Sequence, residues 1–173
     1  MKKLPLILAL VILAFACQQT ERYTQNSPEI ESIKAMFKAY ESGDLESQRQ
    51  YYAPNAQIFI NTPESKPATL DDIMNSQKEE MGMFSNYSIS LNEDGIEMVT
   101  TDKGETWVNV WAEWTGTLTE TNQKFVVPVH ETFQFVDGKI VKEYGYWDNG
   151  PIIQALMELE QSKKAATDST AIN

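Results

Sequence analysis

The chain has 173 residues, 42% of them hydrophobic, and carries 25 acidic against 14 basic side chains, a net charge of −11. That length predicts one domain able to bury its own core, and the acidic excess excludes nucleic acid and anionic lipid as partners, since both are held by basic patches. A single histidine and a single cysteine exclude a conventional zinc cluster, and no phosphate loop, nucleophile elbow or dinucleotide fingerprint occurs, so neither metal nor cofactor is expected.

Residues 1–16 read as a signal peptide. Lys2 and Lys3 form a positive start and Leu4 to Phe15 an apolar run shorter than the roughly 20 residues a membrane-spanning helix needs. Ala14-Phe15-Ala16-Cys17 then resembles the lipobox of bacterial lipoproteins, although Ala14 and Phe15 depart from its usual leucine and small residue. The resemblance implies cleavage before Cys17 and its lipidation, with residues 17–26 as a polar tether and the protein held at a bacterial envelope membrane, periplasmic or surface-facing. The alternative is an ordinary secretory signal with an incidental cysteine. The absence of any second cysteine for a disulfide favours the lipoprotein. Losing Lys2 and Lys3 leaves 12 basic against 25 acidic side chains, a mature charge of −13.

Ser27-Pro28-Glu29 opens the first predicted helix, with serine as cap and proline at its first position. Ile30, Ile33, Met36, Phe37 and Tyr40 keep a helical stripe until Ser42-Gly43. Asp44 caps a short second helix over Leu45–Tyr52, and Gln57–Asn61 is a short strand candidate. Thr69 and Asp72 make a capping-box-like start for a helix carrying Leu70, Ile73, Met74 and Met81.

From Tyr87 the hydrophobic period becomes two. Tyr87–Asn92 and Ile96–Thr100 read as short strands joined by an Asp94-Gly95 turn, and Thr106–Leu118 as a long strand. A two-residue loop at Thr121-Asn122 would pair Trp114 with Val129, Ala112 with Glu131 and Glu113 with His130. Asp137-Gly138 is a strong type I′ hairpin signal. Continued without interruption, its register sets Phe135 against Ile140, Phe133 against Lys142, Glu131 against Tyr144, Val129 against Tyr146 and Val127 against Asp148 on one face. His130 falls on the other face with Thr132 and Trp147, apart from Asp148. A last helix carries Ile152, Ile153, Leu156 and Leu159, and residues 161–173 read as a flexible tail.

Helices, then an antiparallel meander, then a closing helix make an α+β fold over residues 27–160: a curved antiparallel sheet with N-terminal helices on one face, forming a cone-shaped pocket. The order resembles the SnoaL-like domains of the cystatin-like, nuclear transport factor 2-like superfamily. The resemblance rests on Glu41-Ser42-Gly43-Asp44-Leu45, Tyr51-Tyr52-Ala53-Pro54-Asn55-Ala56, Asp137-Gly138-Lys139-Ile140 and Tyr146-Trp147-Asp148. It implies an inward acid at the end of the last strand, here Asp148, of the kind that moves a proton beside a carbonyl in isomerases and cyclases. Asn55 departs from the aspartate often found at its position and cannot act as a base.

Register adds Glu131 as a second inward acid with Tyr144 as its hydrogen-bond partner, so Asp148, Glu131 and Tyr144 are the catalytic candidates. Phe37, Tyr40, Trp114, Val129 and Tyr146 are the ligand-binding candidates. Against these roles, Asp148 before Asn-Gly-Pro can equally cap the final helix, and a bulge near Pro128 could turn Glu131 outward. Three readings follow. The leading one is a lipid-anchored envelope domain binding a small, largely apolar molecule. The second is an acid/base enzyme of isomerase or cyclase type using Asp148, and the third an interaction module docking through the exposed sheet face. Tryptophans on that face mark it as a covered surface, and the resemblance implies a homodimer through Trp107, Trp111, His130 and Trp147.

Overall fold

The computed structural model describes residues 22–170; the expected signal peptide and Cys17 lie outside them. Strand β1 (Tyr23–Thr24) is followed by helix α1 (Pro28–Glu41), a 3-10 helix (Leu45–Tyr51), β2 (Tyr52–Ile60), α2 (Leu70–Met83), β3 (Phe84–Thr100), β4 (Thr106–Leu118), β5 (Gln123–Val136), β6 (Lys139–Tyr146) and α3 (Gly150–Thr170). One curved, unclosed six-stranded sheet has the order β1-β3-β4-β5-β6-β2. Its pairs are antiparallel except β2 with β6, which run parallel.

Local chemistry explains the helix starts. The Ser27 hydroxyl accepts from the Ile30 amide at 3.2 Å, and Asp44 accepts from the Ser47 amide at the 3-10 helix. Thr69 and Asp72 exchange hydrogen bonds as a full capping box. The stripe Ile30, Ile33, Met36 and Phe37 is buried against Ile58 of β2, Ile96 of β3, Val108 and Val110 of β4, Phe133 and Phe135 of β5 and Ile140 of β6. Each such side chain contributes about 1.5–3 kcal/mol when fully buried. This cluster closes one end of the cone. A second cluster, with Tyr40, Phe84, Trp114, Leu118, Phe125, Val127 and Ala155, forms the other end under α3.

The structure differs from expectation in several places, β2 among them: it begins at Tyr52 rather than Gln57 and pairs parallel with β6. The two short strands are one, β3, and Asp94-Gly95 makes a bulge in it. Pairing with β4 skips between Leu91 and Ile96, Asp94 sits at φ 53°, and a Cβ on Gly95 would lie 2.4 Å from the Trp111 carbonyl oxygen. The β4–β5 connection is a four-residue loop, residues 119–122, closed by the Asn122 amide on the Leu118 carbonyl at 2.8 Å. It moves the register by two, so Ala112 pairs with Val129, Val110 with Glu131 and Trp111 with His130. Every side chain keeps its face.

The hairpin at Asp137 (φ 50°) and Gly138 (φ 73°) forms as expected, with Phe135 opposite Ile140. Beyond it Val141 has no partner on β5. Phe133 therefore pairs with Glu143, Thr132 with Tyr144, Glu131 with Gly145 and His130 with Tyr146. A shift of one exchanges the faces: Tyr144 and Tyr146 go out, Glu143 and Gly145 come in. Finally, residues 161–170, expected to fray, continue α3 as helix, and β1 draws residues 23–24 of the expected tether into the sheet edge.

Candidate ligand pocket

Between the two clusters lies a cavity of about 410 Å³. Its walls are Met36, Phe37 and Tyr40 from α1, Ile73, Ser76, Gln77 and Glu80 from one face of α2, Ile89 from β3, Trp114 from β4, and Val127, Val129 and Glu131 from β5. Tyr52, Glu143, Trp147 and the first turn of α3 complete it. The volume fits a small ligand held among apolar and aromatic side chains with a few polar groups.

Those polar groups form two stations. In the first, the Tyr52 hydroxyl donates to Glu143 at 2.6 Å, and Glu131 stands beside this pair. Glu143 is only 5% exposed. Burial pushes its carboxyl above the ordinary range, and the Tyr52 hydrogen bond partly offsets this. Glu131 is pushed well up by burial and then by the neighbouring Glu143. Two carboxyls this close in an apolar wall share charge, so they titrate as a pair. Among the described residues no side chain hydrogen-bonds Glu131, and the cavity is where its carboxyl opens.

In the second station Tyr40 donates to Glu80 and accepts from the Trp114 indole at 2.8 Å. Burial raises the Glu80 pKa, with both Tyr40 and Trp114 opposing the shift. Burial and the adjacent Glu80 raise that of Tyr40, and burial with Glu143 and Glu131 that of Tyr52, so both phenols keep their protons. Gln48, 2% exposed, donates to Gln77 at 2.9 Å and ties the 3-10 helix to α2.

Of the sequence candidates, Phe37, Tyr40, Trp114, Val129 and Glu131 are brought together around the cavity. Tyr144 and Tyr146 are not. The Val141 bulge turns Tyr144 outward, where its hydroxyl donates to Glu64 at 2.5 Å and its ring stacks on Phe59. Tyr146 is 50% exposed. Asp148 lies outside the lining: its Oδ1 accepts from the Gly150 amide at 2.8 Å and caps the turn into α3. The partner expected for Glu131 was Tyr144; the structure gives it Glu143 as neighbour. The outer face loses Trp147 to the cavity and gains Tyr144 and Tyr146 around Trp107, Trp111 and His130.

Sequence reading missed Glu143, Glu80 and Tyr52. For Glu143 a signal existed: the uninterrupted register put Lys142 on the inner face opposite Phe133, which a core resists. For Glu80 there was the spacing Ile73, Ser76, Gln77, Glu80, one side of a helix. Among the described residues no group of three His, Cys, Asp or Glu is disposed to hold a metal ion.

No curated protein matches the chain in sequence. Solved structures match in fold. IdmH from Streptomyces antibioticus, a proposed polyketide cyclase, is 21% identical over 76% of this chain and 99% of its own, with a TM-score of 0.60. PrhC from Penicillium brasilianum is 15% identical over 80% of this chain and 91% of its own, with a TM-score of 0.63. A protein with a ketosteroid isomerase-like fold from Catenulispora acidiphila, solved with trimethylamine, is 14% identical over 67% of this chain and 84% of its own, with a TM-score of 0.53. The profile of the SnoaL-like domain matches residues 33–143, from the middle of α1 to the inward Glu143 of β6. The chain therefore belongs to the SnoaL-like domains of the nuclear transport factor 2-like superfamily.

Proposed function

We propose that this domain binds a small, largely apolar molecule in its cavity, with Glu131 and Glu143 meeting the polar end of the ligand. The observation that carries this is Glu131 itself: a carboxyl in an apolar wall, with no protein hydrogen bond and facing open space. Half-buried among apolar neighbours, its carboxyl opens to the cavity rather than to a protein donor, and a ligand donor would meet it there. The fold neighbour solved with trimethylamine supports a pocket of this kind. Native mass spectrometry of the protein purified from its own host tests it. The expected result is a small-molecule adduct that Glu131→Gln releases; a bare chain from the host would count against binding.

The carboxyl pair also favours a second reading, acid/base catalysis of isomerase or cyclase type. Glu131 rather than Asp148 would then move the proton, because Asp148 does not line the cavity. Turnover of a carbonyl substrate that survives Asp148→Asn and is lost in Glu131→Gln would identify it.

Lipid attachment at Cys17 belongs to the same proposal, and the apolar run before the only cysteine supports it. None of the described helices is long and apolar enough to cross a membrane. Mass spectrometry of the amino terminus, with Cys17→Ser as control, tests the modification. Pairing of two copies through the outer sheet face is supported by the exposure of Trp111 and Tyr146.

A further inference from the structure

Among the described residues, every ionisable group bordering the cavity is an acid. Tyr40 comes from α1, Tyr52 from β2, Glu80 from α2, Glu131 from β5 and Glu143 from β6. The 3-10 helix contributes neutral Gln48, and β3, β4 and α3 contribute no titratable side chain. Among the described residues no lysine or arginine reaches the lining, and the only histidine is turned to the other face, stacked on Trp111. Proteins seldom bury carboxyls without a cation to meet them. Here three border one cavity and the fold supplies no cation.

The hydrogen bonds point the same way. Tyr52 donates to Glu143 and Tyr40 to Glu80, and both bonds favour the ionised acid. A site built for an anion or a developing oxyanion would aim those phenols at the ligand instead. Here they are used up on carboxylates, and the remaining acceptor, Glu131, has no donor. Around the acids stand the rings of Phe37, Phe84, Trp114 and Trp147, surfaces that attract a cation as well as an apolar body.

We propose that the cavity takes a small apolar amine in its ammonium form, with Glu131 as counter-ion, Glu143 as its charged neighbour and the aromatic walls around the hydrocarbon part. This rests on the ligand-binding reading of the cavity and names the ligand class. The ammonium donates to Glu131, and any proton that carboxyl carried in the empty cavity leaves to solvent. Binding is then coupled to proton release wherever the empty pair is still partly protonated. A neutral molecule of the same shape releases none.

The test uses a matched pair of probes, benzyldimethylamine, charged at neutral pH, and its uncharged isostere isobutylbenzene. Both are titrated into the protein and followed by tryptophan fluorescence, since Trp114 and Trp147 line the cavity. Proton release is read in weakly buffered solution. The expected result is amine binding at least about tenfold tighter than the isostere, with release of up to about one proton, and loss of that preference in Glu131→Gln while the isostere still binds. Equal or tighter binding of the isostere overturns the cation assignment and leaves the pocket reading standing. Binding of neither overturns both. Should Glu131→Gln lose its near-ultraviolet dichroism, the amine and isostere compared on the unaltered protein decide alone.

Discussion

Tyr52 and Glu143 are 91 positions apart in the chain and 2.6 Å apart in the cavity wall, the phenol donating to the carboxyl. The bond joins the first residue of β2 to the inward face of β6, strands that run parallel at the sheet edge. Tyr52→Phe leaves the carboxyl buried without its donor. We expect a loss of about 1–3 kcal/mol in chemical denaturation and a further rise of the Glu143 pKa, readable by carboxyl carbon NMR.

Stability should fall as pH rises. Glu131 and Glu143 have folded pKa values above their unfolded ones, so the folded state holds more protons than the unfolded state above the ordinary carboxylate range. Raising the pH from that range through the folded pKa values removes stability, about 1.4 kcal/mol for each tenfold excess in proton affinity. Denaturation midpoints measured from pH 5 upward should decline on this account, and Glu131→Gln should flatten the decline. A midpoint that rises across neutrality in the unaltered protein and is unchanged in the variant would contradict the burial of the pair.

Asp148 and Glu131 should part company on mutation. Asp148→Asn touches a turn cap and should cost under about 1 kcal/mol while leaving ligand occupancy unchanged. Glu131→Gln should change occupancy. Parallel native mass spectra of the two variants make the comparison.

Gly95→Ala should damage the long strand more than its neighbours would. The new methyl meets backbone, the Trp111 carbonyl and the Asn92 amide and carbonyl, none of which can rotate away. A loss of about 1–3 kcal/mol is expected from thermal or urea unfolding.

The outer face gives a further measurement on a variant. If two copies meet there, Trp111→Glu should convert the dimer to a monomer in light scattering after size exclusion, since Trp111 is 41% exposed at mid-sheet. An unaltered protein that runs as a monomer would remove the dimer.

What could be read from sequence was local. The Ser27 cap, the Thr69–Asp72 box and the Asp137-Gly138 hairpin each depend on a few adjacent residues, and each forms. The sheet face of β4 survived an error in loop length because the error was two residues and side chains alternate with period two. The same period made the single unpaired residue at Val141 decisive. Bulges answer to packing across the sheet, so Glu143 and Trp147 were assigned to the wrong side. Residues on β5, upstream of the bulge, kept their places, which is why Glu131 and Val129 were found and Tyr144 and Tyr146 were not part of the cavity. Glu80 was hidden differently: an acid in the run Lys78-Glu79-Glu80 reads as a solvated helix surface until a sheet is set beneath it.

Val141 is the one residue of β6 between Lys139 and Tyr146 paired neither with β5 nor with β2. A chain lacking it would run from Ile140 to Lys142 with both still opposite their present partners, and Glu143 would still look inward. Curvature of the sheet edge and chemistry of the cavity are thus separable here: one deletion would straighten the wall while leaving every acid in place.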